Sequence, residues 1–228
     1  MQHLAIIMDG NRRWAKKNKL ESFSGHKKGK DKIRLAIKFC IKNNIKHLSL
    51  YTFSLENFNR CESEKNYLFN LIVEGAKKEL PELVEQGVQV KFVGDRRLFP
   101  SHIVSSINEI ENKTKDLNKL HHNILFGYGA QQEVAFAVKS IAKKVKEGLI
   151  DIEEIDEKTV KNHLWTAGTP DPDLIVRTGG DVRLSNFLLY QAAYSEFAFL
   201  DCYWPEITEE HLQKCVDKFK ASKRNFGI

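Results

Sequence analysis

The sequence has few cysteines and spaces them widely. Cys40, Cys61, Cys202 and Cys215 are the whole set among 228 residues, and no two stand at CxxC spacing. That argues against a zinc site or a disulfide framework and suits a reducing cytoplasm. No apolar run approaches the roughly 18 residues that cross a bilayer. The first strand begins almost at once, so no secretory leader is expected. No internal repeat, low-complexity tract or linker divides the chain. Two phosphate-binding signatures are also missing. Gly25 to Lys30 reads GxxxGK followed by Asp31, which is not a Walker A loop. Gly127-Tyr128-Gly129-Ala130-Gln131-Gln132 is half a dinucleotide fingerprint, but Gln132 takes the third glycine's place, so it reads as a strand-to-helix turn.

What is there is an ordinary globular balance, 42% hydrophobic and 29% charged. Net charge is +6, from 36 Lys and Arg against 30 Asp and Glu. That fits an anionic ligand, an acidic membrane surface or nucleic acid, and selects none of them. Many lysines sit beside glutamates on helices, as a solvated face does. The basic side chains form no continuous stripe interleaved with aromatics, so nucleic acid is not expected as a partner. Short apolar runs read as strands from about His3, at 45–54, 88–94 and 123–128, at Leu174-Ile175-Val176, and at 197–202. Helical patterns fill 25–43, 63–86 (with Pro81 placed to kink it), 100–119, 131–147, 157–165 and 208–223. Lys16 to Ser24 reads as a polar loop, and the basic tail 222–228 as loose or at an interface. In the helix at 131–147, Val134, Val138, Ile141 and Val145 are expected on one face. Leu68, Leu71, Ile72, Ala76 and Leu80 form a stripe that is either core or the wall of an apolar cavity. Alternating strands and helices over 228 residues imply one α/β domain, 1–228, with a mainly parallel six-stranded sheet flanked by helices.

Chemistry concentrates at strand ends, where open α/β sheets bind ligands. The first strand ends at Asp9, followed by Gly10-Asn11-Arg12-Arg13-Trp14. An acid, a tight turn and two guanidinium groups suit a phosphorylated ligand with a metal between like charges. An ordinary ion pair at a solvated turn is the alternative this stretch alone leaves open. The second strand delivers Ser54-Leu55-Glu56-Asn57-Phe58-Asn59-Arg60, and the fifth runs into Arg177-Thr178-Gly179-Gly180-Asp181-Val182-Arg183-Leu184-Ser185-Asn186. Ser185 or Asn186 is expected to cap a following helix, whose N-terminus beside arginines would cradle a diphosphate. His26 and Glu196 are expected to join these stretches. The cations exceed what one phosphate needs and suit two diphosphates side by side.

Four blocks carry a resemblance: HLAIIMDGNRRWAK, GHKKG, LSLYTFSLENFNR and LIVRTGGDVRLSNFLLYQAAYSEFAFLDCYWPE. In that order they resemble the signature blocks of the cis-prenyltransferases, the isoprenyl transferase family, in its bacterial branch, over essentially the whole chain. The resemblance implies Mg²⁺-assisted loss of diphosphate from farnesyl diphosphate and attack on its allylic C1 by isopentenyl diphosphate. A proton is then lost and the cycle repeats, giving a long product such as undecaprenyl diphosphate, precursor of the carrier lipid of wall glycans. It also implies an apolar tunnel, a homodimer, and a cytoplasmic enzyme with a peripheral membrane contact for product release.

By position in those blocks, Asp9 is the essential acid and a metal ligand, and Glu196 is a second metal ligand reached across a dimer interface. Gly10, Asn11, Arg12, Arg13 and His26 hold the allylic diphosphate, and Trp14 contacts substrate. Ser54, Leu55 and Glu56 continue the wall, flanked by Phe58 and Arg60. Asn57 matches a proton acceptor, although an amide is so weak a base that positioning suits it better. Arg177, Arg183, Leu184 and Ser185 match the isopentenyl diphosphate cradle. Three positions depart from the family pattern. Arg12 replaces a common glycine, Ser22 an arginine that contacts diphosphate, and Val182 a histidine near the metal. The helical trans-prenyltransferases are disfavoured, because no adjacent Asp pair occurs. A non-catalytic subunit is disfavoured by the presence of Asp9, Arg177 and Arg183.

Overall fold

Residues 1–222 are described by the structure, a computed structural model. Every residue of the first strand, β1 (His3–Ile7), is buried. Leu4 and Ile6 enter one core and Ala5 and Ile7 another, so β1 must lie inside a sheet covered on both faces. The other strands are β2 (His47–Ser54), β3 (Val88–Val93), β4 (Leu120–Tyr128), β5 (Leu174–Arg177) and β6 (Glu196–Phe199). Their order is β3-β4-β2-β1-β5-β6, and every neighbouring pair is parallel. The larger core takes side chains from α2 (Ser22–Lys42), α3 (Glu62–Glu85), α4 (Ser101–Thr114) and α7 (Glu209–Ala221). The smaller one includes Tyr128, Ala130, Phe187 and Leu188, on the side of α5 (Ala130–Lys146). Two short helices, α1 (Asn11–Lys17) and α6 (Glu157–His163), complete the set. The expected parallel six-stranded sheet between helices is therefore what forms.

Several local expectations are corrected. The stretch 16–24 is not a loop: α1 runs to Lys17 and α2 begins at Ser22. A Cβ on Gly25 would lie 1.9 Å from the Asn11 carbonyl oxygen, so α2 starts early and packs its bare backbone against α1. Not every expectation needs correcting: α3 runs through Pro81, as the expected span 63–86 requires. The fourth helix is shorter than expected and stops at Thr114, and β4 starts at Leu120 rather than 123. In α5 the buried residues are Ala130, Glu133, Ala137 and Ile141, while Val138 is 55% exposed. The stripe is misread because Glu133 belongs to it. Its buried carboxylate accepts hydrogen bonds from Tyr128, Thr166 and Gln191, so burial costs it no partner.

Two corrections bear on the site. No α-helix follows Arg177–Ser185. Ser185, Asn186 and Leu188 have φ of 51°, 64° and 43°, a left-handed path that cannot start a helix, and a short 3₁₀ turn at Gln191–Tyr194 follows. The expected cap and helix-terminal cradle are absent from this stretch. The sixth strand covers Glu196–Phe199, with Glu196 level with Leu174 and Phe199 level with Arg177. Glu196 therefore lies at the amino edge of the sheet, opposite Asp9. The expectation for the tail falls on 222–228, of which 223–228 lie outside the described residues.

Candidate active site

The parallel register brings the ends of β1 and β5 level beside β2. Ile7 lies beside Tyr51 of β2 and beside Arg177 of β5. Asp9 then follows β1, and Gly10 turns the chain with φ 99°, a conformation that a side chain would strain. Asp9 collects three donors. Oδ1 accepts from the Gly10 N–H at 2.6 Å and lies 3.1 Å from Arg13 Nη2, while Oδ2 accepts from Arg177 Nη2 at 2.8 Å. Arg177 is almost fully enclosed, its side chain 4% exposed. It also donates to the Arg183 carbonyl and to Ser185 Oγ, and its Nε is buried without a partner.

A second carboxylate interleaves with these arginines. Asp181 accepts from Arg13 Nη2 and from Arg183 Nη1, both at 2.9 Å, and lies 4.0 Å from Arg177. One nitrogen of Arg13 is thus shared by Asp9 and Asp181. Gly179 makes the crossing possible: its φ is 95°, and a Cβ would come within 2.7 Å of Arg13 Nη2. The carboxylates hold Arg13, Arg177 and Arg183 in one cluster and partly neutralise it, leaving a site that an anion with more oxygens can take over.

Arg12 and Arg60 line the other side of the same basin, which measures about 490 Å³. Arg60 pairs with Glu64 at 3.0 Å. His26 lies between them. Burial, reinforced by the Arg60 and Arg12 charges, pushes its imidazole down to about 4. It is neutral at pH 7, and its buried Nε2 has no partner. From this basin a cavity of about 370 Å³ runs inward between α2, α3 and the sheet. Asp9, Asn57, Arg60, Arg177 and Arg183 stand at its mouth; Ile33, Leu68, Leu71, Ile72 and Ala76 are among the apolar side chains deeper in. A charged mouth on an apolar cavity fits a molecule with an anionic head and a hydrocarbon tail.

Comparison with known proteins agrees with this geometry. Residues 7–227 match the family model described as "Putative undecaprenyl diphosphate synthase". The chain belongs to this isoprenyl transferase family. The isoprenyl transferase of Bacillus subtilis is 42% identical over 226 residues, covering 99% of this chain and 87% of that one. The isoprenyl transferase of Clostridium perfringens is 43% identical, covering 99% and 89%. Among solved structures, lavandulyl diphosphate synthase from Lavandula x intermedia, in complex with dimethylallyl diphosphate, superposes with TM-score 0.96 at 31% identity, covering 100% and 98% of the two chains. A probable undecaprenyl diphosphate synthase from Campylobacter jejuni gives TM-score 0.83 at 29% identity, covering 100% and 99%.

Within this isoprenyl transferase fold, Asp9, Gly10, Asn11, Arg12, Arg13, His26, Arg60 and Arg183 all line the outer basin. Ser54, Asn57 and Arg177 line the inner cavity. Asn57 Oδ1 accepts the Ser54 N–H at 3.2 Å, so its carbonyl already caps the 3₁₀ turn at Leu55–Asn59 and its amide donors are left. Other expected residues line neither space. Phe58 packs among Phe53, Phe69 and Phe99. Glu56 accepts from Asn186 at 2.9 Å, and Leu55 lies against the turn at Gly129. Leu184 packs on the smaller core, and Ser185 meets residues of the site through its hydroxyl, which accepts from Arg177, and its carbonyl, which accepts from the Tyr51 hydroxyl. Trp14 is half-buried in α1. Glu196 accepts from Ser222 Oγ at 2.7 Å, at the far edge of the sheet. Asp181 was missed; an acid between two glycines and an arginine just after a strand end is the signal that could have found it. Among the described residues no three or more His, Cys, Asp or Glu gather as a metal site. Mg²⁺, however, commonly takes one or two carboxylates and completes its shell with substrate phosphates and water. Asp9 and Asp181, sharing a donor at the mouth, fit that mode.

Proposed function

We propose that this protein condenses isopentenyl diphosphate repeatedly onto farnesyl diphosphate, with Mg²⁺, to give a long-chain polyprenyl diphosphate of undecaprenyl type. The observation that carries this reading is the cluster of Arg13, Arg177 and Arg183, interleaved with Asp9 and Asp181, at the mouth of an apolar cavity. Allylic diphosphate binds at Gly10–Arg13 with His26 beside it, its tail lying in the cavity as in a tunnel. Isopentenyl diphosphate binds Arg177, Arg183 and Ser185. When bound, Mg²⁺ offsets diphosphate charge and stabilises its departure as a leaving group.

The chain's own residues do the rest. Arg12, Arg13 and Arg60 stabilise the negative charge that grows on the departing diphosphate. Neutral His26 donates a hydrogen bond to it without adding a further charge. The Asn57 amide positions the reacting double bond, and a diphosphate oxygen or water takes the proton. Asp9 and Asp181, displaced from the arginines by diphosphate, become available to the metal. Glu196 cannot reach its own chain's Asp9 from the opposite edge, so a metal role for it requires a second copy, in line with a homodimer. The whole chain, 1–228, acts as one catalytic domain, cytoplasmic, with a peripheral membrane contact for product release. No helix among the described residues is long and apolar enough to cross a membrane.

The test is radiolabelled isopentenyl diphosphate with farnesyl diphosphate and Mg²⁺, products sized by chromatography. The expected result is a Mg²⁺-dependent ladder ending in a long product. No incorporation with any short allylic diphosphate would refute the reading.

A further inference from the structure

The inner cavity is too small for a long product. At about 25 Å³ per carbon, the density at which a cavity of about 150 Å³ takes one benzene, it holds roughly 15 carbons. Each further isoprene unit must therefore move a wall. On the sheet side the wall is formed by residues of the hydrogen-bonded strands, Ile124 and His122 among them, and burial pushes His122 down to about 4, so it stays uncharged. Away from the mouth, the charged lining side chains are Lys30 of α2 and Glu79 of α3.

These two close the seam between α2 and α3. Lys30 Nζ lies 3.9 Å from Glu79, and Arg34 lies 3.6 Å from the same carboxylate. Arg34 and Lys38 continue the seam to Glu82 at 3.2 and 3.0 Å. The Lys30 stem lies across Gly75, where a Cβ would meet Lys30 Cδ at 3.1 Å. A glycine inside a helix weakens it, and here the missing side chain makes the notch that lets Lys30 reach across. Glu79 is well enclosed, its side chain 14% exposed, and burial lifts its carboxyl above the ordinary range despite the two cations. An apolar tail pressing on this seam gains nothing from charged groups and must part them in a poorly solvated place.

We propose that the Lys30–Glu79 pair limits product length: once the tail fills the cavity, each added isoprene unit has to part the pair further, and the strength of the pair sets where growth stops. This rests on the function proposed above. The test compares the unaltered protein with the double variant Lys30→Met, Glu79→Leu, which keeps the bulk of both side chains and removes both charges. Folding is followed by thermal melt, the first condensation by the initial rate of isopentenyl diphosphate incorporation, and length by chromatography. The expected result is a distribution shifted longer by at least one isoprene unit, with the initial rate within about twofold, since neither residue touches the diphosphate mouth. An unchanged distribution from folded double variant overturns the proposal while leaving the reaction intact. Should the double variant not fold, Glu79→Gln keeps the shape and removes one charge; the same lengthening is expected, and its absence overturns the proposal. No incorporation by the unaltered protein is a different failure, that of the function itself.

Discussion

Replacing Arg177 by methionine separates a binding role from a structural one. The guanidinium donates to Asp9 at 2.8 Å, to Ser185 Oγ at 2.9 Å and to the Arg183 carbonyl. Methionine fills much of the space and makes none of these bonds. Asp9 is not orphaned, because Arg13 and the Gly10 N–H still reach it. Arg183 and Ser185 are exposed, so water replaces their lost donor. The net loss of stability is then that of one charge-assisted hydrogen bond, roughly 1.5–3 kcal/mol. At roughly 2–4 °C per kcal/mol for a chain of this size, Tm falls by about 3–12 °C. A diphosphate that exploits Arg177 loses a contact of similar strength, about 10- to 150-fold in Kd. Inorganic pyrophosphate titrated calorimetrically with Mg²⁺ measures the second quantity and a melt measures the first. A lowered Tm with unchanged pyrophosphate affinity would refute the assignment, leaving Arg177 as a brace for the loop.

Asp9→Ala is expected to fold normally and lose roughly three orders of magnitude in Mg²⁺-dependent turnover, measured by incorporation. Arg183→Ala is expected to raise KM for isopentenyl diphosphate about ten- to hundredfold with a small effect on farnesyl diphosphate; steady-state kinetics with each substrate varied decides. Ala76 lines the cavity, so Ala76→Leu is expected to keep the first condensation and shorten the products, whereas destabilisation with full-length product would make it plain core. Burial pushes both His3 and His122 from 6.5 down to about 4. The unfolded chain takes up protons below 6.5 while the folded one refuses them until about 4. Stability therefore falls as pH drops through that window, by up to roughly 3 kcal/mol per histidine. Melts between pH 7 and 4 check the slope, and His122→Asn should flatten it.

The strand-end residues were legible because their context is one-dimensional. Asp9 and Arg177 each close a short apolar run, and in a parallel sheet such ends lie together whatever the helices do. Asp181 was not legible as a partner of Arg13, because that contact joins residues far apart in sequence and depends on the path of Gly179. The helix expected after Ser185 fails because three residues with left-handed backbones look, as letters, like ordinary cap and core residues. The α5 face was misphased because a glutamate with buried partners counts as polar in any periodicity. Glu196 was grouped with the carboxyl strand ends, but a residue that opens or just precedes β6 lies at the amino edge of the sheet, so within one chain it does not join them. The cavity follows from how far α2 and α3 stand apart over the sheet, a distance no local pattern encodes.

The central place of β1 also shapes how the chain is made. Its partner β2 follows within about fifty residues, but its other neighbour β5 begins only at Leu174. During synthesis the half-sheet β3-β4-β2-β1 can assemble with one long side open, offering the wholly apolar Leu4–Ile7 and its unpaired amides to the surroundings. At roughly 5–20 residues per second that side stays bare for several seconds. The same late pairing sets Arg177 beside Asp9, so the protected edge and the anion site come into being in one event. Ligands of the mouth should therefore bind only chains that have closed the sheet, and nascent chains halted before residue 174 should be the ones that chaperones hold.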